Sequence, residues 1–176
     1  NTTASYDAAI ANYFNKKDNL VPERLTLSYK LQDSLRYGEN PQQSAAFYKM
    51  PGAPAHSLAN AQQLQGKPLS YNNLLDTDAA WAAVREFDDP SVIILKHQNP
   101  CGSATAENVV EAYDRAFACD PISAFGGIIA VNREVPLEFV EHFADINKQF
   151  VEVLIAPSFT KEALERLSKR TNLRVL

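Results

Sequence analysis

The chain has 176 residues, 45% hydrophobic and 22% charged, with a formal net charge of −4. That balance fits a globular protein able to bury a core, and it disfavours a nucleic-acid backbone as partner. No apolar run approaches the ~20 residues that span a bilayer, and the opening segment, Asn1 to Tyr6, lacks the basic and apolar regions of a signal peptide.

Residues 5–14 have helical spacing, with Tyr6, Ile10 and Tyr13 or Phe14 on one face. Asn15 to Glu23 is a charged connector. Arg24 to Leu31 alternates as a strand does, with Leu25, Leu27 and Tyr29 expected inward. Leu35 to Gln43 is rich in turn formers, Ala45 to Tyr48 predicts a short strand, and Met50 to Pro54 a turn. Asn73 to Phe87 predicts a helix, with Asn72 or Asn73 as its cap. Four apolar residues in a row, Val92 to Leu95, predict a strand over 91–96 buried on both faces. A helix over 106–118 follows, with Val109, Val110, Tyr113 and Phe117 on one stripe. Next come a loop over 120–127, a strand over 128–131, a helix over 136–146 and a strand over 151–155. Thr160 caps a helix over 160–169, and Leu173 begins another strand. Strand and helix in alternation predict an α/β fold on a parallel sheet. The chain starts without Met and stops inside an apolar stretch, so it reads as a truncated piece of a larger sheet.

The buried strand ends in Lys96 and His97, followed by Asn99-Pro100 and Gly102. Ligands of α/β sheets gather at the carboxyl ends of strands, and ionisable groups there are costly unless paired or used. Imidazole can move a proton near neutral pH. Both side chains reach one site only if the strand stops here, and Pro100 and Gly102 suggest that it bends. A snorkelling lysine beside a strand-end histidine is the plain alternative. Cys101 between Pro and Gly resembles part of a zinc deaminase pattern, but position 99 is Asn and position 104 is Ala, so the ligand set is incomplete. Cys101 and Cys119 then read as free thiols of a cytoplasmic protein. Gly126-Gly127 precedes a strand rather than a helix, so it is not a dinucleotide-binding loop. Arg36 and Tyr37 could hold a phosphate through a guanidinium fork and a phenol.

Five ordered segments carry a resemblance: Leu35-Arg-Tyr-Gly-Glu-Asn-Pro41, Leu69-Ser-Tyr-Asn-Asn-Leu-Leu-Asp-Thr-Asp-Ala-Ala80, Lys96-His-Gln-Asn-Pro-Cys-Gly102, Asp120-Pro-Ile-Ser-Ala-Phe-Gly-Gly127 and Phe150-Val-Glu-Val-Leu-Ile-Ala-Pro157. Together they resemble the bacterial AICAR transformylase/IMP cyclohydrolase family of purine biosynthesis. The resemblance implies an α/β, zinc-free, cytidine-deaminase-like sheet with flanking helices, one of two such subdomains. Residues 1–23 would be an N-terminal helix and connector, and 24–176 the N-terminal half of the transformylase domain. The implied reaction, that of a phosphoribosylaminoimidazolecarboxamide formyltransferase, passes a formyl group from 10-formyltetrahydrofolate to the amine of the AICAR nucleotide. The implied enzyme is a homodimer needing no metal here, with no nucleic-acid or membrane partner, and this piece alone would be inactive. Lys96 and His97 resemble the catalytic pair. Arg36, Tyr37, Asn73, Phe125, Gly126 and Glu152 resemble the substrate-binding residues. Position 42 departs, being Gln where bacterial members carry His. A zinc deaminase of the same fold and a non-catalytic, interface-forming half are the competing readings.

Overall fold

The apolar run Val92–Leu95 lies at the heart of a five-stranded sheet, in a computed structural model that describes residues 1–18 and 21–176. In chain order the elements are α1 (Thr2–Lys17), β1 (Lys30–Leu35), β2 (Ala45–Lys49), a 3-10 turn (Leu58–Asn60), α2 (Tyr71–Val84), β3 (Ser91–Lys96), β4 (Asn99–Thr105), α3 (Val109–Cys119), β5 (Gly127–Val131), α4 (Leu137–Glu141, continued by a π turn over His142–Ile146), β6 (Val151–Ile155), α5 (Lys161–Leu167) and β7 (Arg174–Val175).

The sheet order is β4-β3-β5-β6-β7. β3 runs antiparallel to both β4 and β5, while β5, β6 and β7 are parallel. The sheet is therefore mixed, which corrects the parallel expectation. The cause is β4: the chain turns back after Lys96 and reverses β3 relative to the strands that follow. The crossover through α3 joins β4 to β5, which are parallel to one another on either side of β3. The expected helix over 106–118 starts later, at Val109, because 99–105 is strand and Asn108 is the cap, its Oδ1 accepting the Glu111 amide at 2.9 Å.

Alternate residues of the strands feed two cores, as the period of a β-strand dictates. Val92, Ile94, Ile129, Val131 and Leu154 pack under α3, α4 and α5 around Tyr113, Phe139, Phe143 and Leu167. Ile93, Leu95, Ile128, Ala130 and Val153 pack against Ala80 and Val84 of α2. Helices thus cover both faces, and α2 alone among the longer helices lies on the second. Gln65 fastens the β7 side: its backbone pairs with Val175 and its Nε2 donates to the carbonyls of Leu167, Arg170 and Leu173.

One expectation near the N-terminus fails. Residues 24–29 form no strand; β1 begins at Lys30 and pairs only with β2, so Leu25 and Leu27 are 64% and 59% exposed for want of a neighbouring strand. The helical face of Tyr6, Ile10, Tyr13 and Phe14 exists but is likewise exposed. α1 is tied to the following segment by Asn12 Nδ2 donating to Thr26 O and Ser28 Oγ donating to Ser5 Oγ. Positions 19 and 20 of the expected connector lie outside the described residues. No helix among the described residues is long and apolar enough to cross a membrane.

Candidate active site

β3 and β4 form a hairpin in which Lys96 faces Asn99, leaving His97 and Gln98 as the turn. Both have positive φ, 53° and 61°, as a two-residue type I′ turn requires. Neither is Gly, and an L-residue in this region costs about 1–2 kcal/mol. The carboxylate of Asp76 on α2 offsets that cost. The His97 amide donates to Oδ2 at 3.1 Å and the Gln98 amide to Oδ1 at 3.0 Å, and hydrogen bonds to a charged group contribute about 1.5–3 kcal/mol each. Asn99 Nδ2 donates to the His97 carbonyl at 3.0 Å. The His97 imidazole itself is exposed, and no described residue hydrogen-bonds it. The expected bend at Pro100 and Gly102 is absent: those residues belong to β4, and the chain turns two residues earlier.

Lys96 is half-buried, its Nζ donating to the Phe125 carbonyl at 2.7 Å. Burial pushes the neighbouring Cys101 thiol up, the Asp120 charge adds to this, and the Lys96 ammonium opposes it. A thiol raised in this way is not poised as a nucleophile. The loop presenting Phe125 is held from below. Asp120 Oδ1 accepts the Ser123 amide at 2.9 Å, and the hydroxyl and amide of Ser123 hold that carboxyl below the usual range. The buried Gln149 donates to the Ala124 carbonyl at 2.9 Å and accepts the Tyr113 hydroxyl at 2.8 Å. The Gly126 amide donates to Phe150 O at 2.8 Å, and the Phe125 and Phe150 rings lie 5.4 Å apart.

A cleft of about 1090 Å³ opens beside this loop, lined among others by Arg36, Tyr37, Asn73, Phe150, Glu152 and Arg174. The Arg36 guanidinium lies 4.9 Å from the Tyr37 ring centre, with Nη2 3.3 Å from its hydroxyl. Among the described residues no carboxylate pairs with it. Glu152 is paired: Arg174 Nη1 donates to its Oε2 at 2.6 Å, and Arg174 Nε donates to the Pro68 carbonyl. Neither Asn72 nor Asn73 is the cap of α2, which corrects the expectation. Ser70 is, its Oγ accepting the Asn73 amide while Asn73 Oδ1 accepts the Ser70 amide, both at 3.1 Å. Asn72 Nδ2 donates to the Glu39 carbonyl, tying α2 to the loop that follows Tyr37.

The expected site residues thus fall into two groups. Arg36, Tyr37, Asn73 and Glu152 share the cleft; Lys96, His97, Phe125 and Gly126 lie outside its lining, around the hairpin tip. The groups meet at two places. Phe150 lines the cleft and touches the Phe125 loop, and α2 carries Asn73 to the cleft and Asp76, one turn on, to the hairpin. The sequence reading missed Asp76 and Arg174. An isolated charge in an otherwise apolar strand was the only signal for Arg174. Among the described residues no three His, Cys, Asp or Glu side chains gather as metal ligands.

Comparison with known proteins is consistent across the chain. The bifunctional purine biosynthesis protein PurH of Lactococcus lactis subsp. cremoris MG1363 is 52% identical over 177 residues, which cover 99% of this chain and 34% of that protein. The PurH protein of Bacillus cytotoxicus is 51% identical over 175 residues, again 34% of its length. The chain therefore spans about a third of the length of the curated relatives it matches. The family model described as AICARFT/IMPCHase bienzyme matches residues 1–176, and the chain belongs to that family.

Proposed function

We propose that this chain supplies the nucleotide-binding and proton-transfer part of an AICAR formyltransferase, on a cytidine-deaminase-like subdomain of a cytoplasmic, homodimeric enzyme. The observation that carries the reading is the Arg36 guanidinium, free of any described carboxylate, in a cleft that Phe150 joins to the loop holding Lys96. A phosphate on Arg36 and the Tyr37 hydroxyl would receive charge-assisted hydrogen bonds of the kind a guanidinium fork makes best. Asn73 Nδ2 and the Glu152–Arg174 pair would meet the ribose and its neighbourhood. Phe125, 60% exposed, offers an apolar lip for the base.

The reaction joins the AICAR amine nitrogen to the formyl carbon of 10-formyltetrahydrofolate and breaks that carbon's bond to N10 of the folate. His97 takes the amine proton as the new C–N bond forms, and folate N10 leaves with a proton. The Lys96 ammonium spends one hydrogen on Phe125 O and keeps others for the formyl oxygen as negative charge builds there. Folate contacts are assigned to sequence flanking this chain, so the chain alone is inactive. The exposed apolar faces of α1 and the β1–β2 ribbon are surface for that flanking sequence or the second subunit.

Arg36→Ala in the complete protein is expected to weaken AICAR binding about 10- to 100-fold, the loss of a charge-assisted contact. The nucleoside without phosphate should bind both forms equally. Calorimetric titration measures this, and unchanged nucleotide affinity in Arg36→Ala contradicts the reading.

A further inference from the structure

We propose that Asp76 is a positioning residue of the formyl transfer: it holds the His97–Gln98 turn and so aims the imidazole. The inference rests on the assignment of His97 as proton acceptor and extends it to a residue that touches no substrate.

Two successive residues other than Gly have positive φ at the hairpin tip. Their amide N–H groups converge, a concavity that usually takes an anion. Here the anion is internal. One carboxylate, half-buried on α2, accepts both amides, each oxygen taking one. Asn99 holds the His97 carbonyl from the other side. The backbone of His97 is thus fastened at both ends while no described residue hydrogen-bonds its ring. The fastening reaches a rigid support: α2 is capped reciprocally by Ser70 and Asn73 and buries Ala80 and Val84 against the sheet. Asp76 lies one helical turn beyond Asn73, which lines the cleft. One helix therefore fixes the hairpin tip relative to the cleft, and the carboxylate is its grip on the tip. Without that grip the two residues relax toward negative φ and carry the imidazole away from the cleft.

The test is Asp76→Asn in the complete protein. The amide keeps the shape but offers one acceptor oxygen, and its NH2 opposes the other N–H. The expected result is a kcat about 10- to 100-fold lower, as misplacement near 1 Å produces, with KM for AICAR unchanged and faster hydrogen exchange at the His97 and Gln98 amides. Adding Gln98→Gly should restore much of the lost kcat, because Gly accepts positive φ without strain; a merely structural role would instead show as a lower unfolding midpoint in Asp76→Asn alongside the lost kcat. Unchanged kcat in Asp76→Asn, or a loss with neither rescue nor faster amide exchange, overturns the proposal. His97→Ala run alongside separates the two ideas. Normal turnover in His97→Ala removes the proton-acceptor assignment and this proposal with it. Lost turnover in His97→Ala with full activity in Asp76→Asn removes this proposal alone.

Discussion

His97→Ala, made in the complete protein, is expected to lower formyl-transfer kcat by about 10²–10⁴-fold, the range a positioned proton acceptor supplies. AICAR binding should be retained, because Arg36 and Tyr37 lie in a cleft that His97 does not line. The reasoning starts from the nucleophile. An amine conjugated to an aromatic ring attacks poorly, so its proton must leave as the bond to the formyl carbon forms. Among the described residues at the hairpin tip, the His97 ring is the base left unengaged: the Lys96 ammonium has no lone pair to accept a proton, and each Asp76 carboxylate oxygen already accepts a turn amide. The ring is exposed and unengaged by any described residue, while its backbone is fixed. Steady-state kinetics with an intact circular dichroism spectrum gives the answer. A variant within threefold of wild type would remove His97 from the chemistry.

Gly102→Ala is expected to be strongly destabilising. Gly102 sits in the middle of β4 opposite Ile94. A Cβ there would lie 1.8 Å from the Ala116 carbonyl oxygen and 2.7 Å from its carbon. The obstacle is helix backbone, which cannot rotate away as a side chain can. α3 must lift from the sheet, and with it Ala112, Tyr113 and Ala116, all buried in the core beneath it. Overpacking of this kind costs about 1–3 kcal/mol, occasionally more, against a total stability of roughly 5–15 kcal/mol for a domain. A fall of that size in urea-unfolding free energy is the expected measurement. A loss below about 0.5 kcal/mol, the usual scale of surface changes, would mean that α3 does not approach β4 this closely. The same glycine reads in sequence as a bend, whereas it provides room for a helix.

The contrast at Gly102 illustrates how much of this fold the sequence carries. Buried strands announce themselves: Val92–Leu95 and Ile128–Val131 are unbroken apolar runs, Val151–Ile155 is apolar but for Glu152, and each is found where expected. Thr160 is legible as a cap because its chemistry is local, its Oγ1 accepting the Ala163 amide. β4 is not legible. Asn-Pro-Cys-Gly-Ser-Ala-Thr has no apolar pattern, and as an edge strand it needs none and tolerates Pro100. Missing it reverses the reading of β3 and makes a mixed sheet look parallel. Residues 24–29 err in the opposite sense, since they alternate correctly but find no partner strand. In the site, Lys96 and His97 stand out because ionisable groups close an apolar run. Asp76 does not, for a lone acid near a helix start looks like solvated surface, and the amides it holds are 21 and 22 residues away. Arg174 is hidden for the same reason, 22 residues from Glu152.

The central claim is that the hairpin tip and the Arg36 cleft serve one substrate molecule. A structure of the complete protein with AICAR bound tests it most directly. The account predicts the phosphate on Arg36 and Tyr37 and the amine within about 2.6–3.2 Å of the His97 ring, or one water away. A nucleotide seated in the cleft with its amine turned away from the His97 hairpin, or a phosphate bound apart from Arg36, would contradict it.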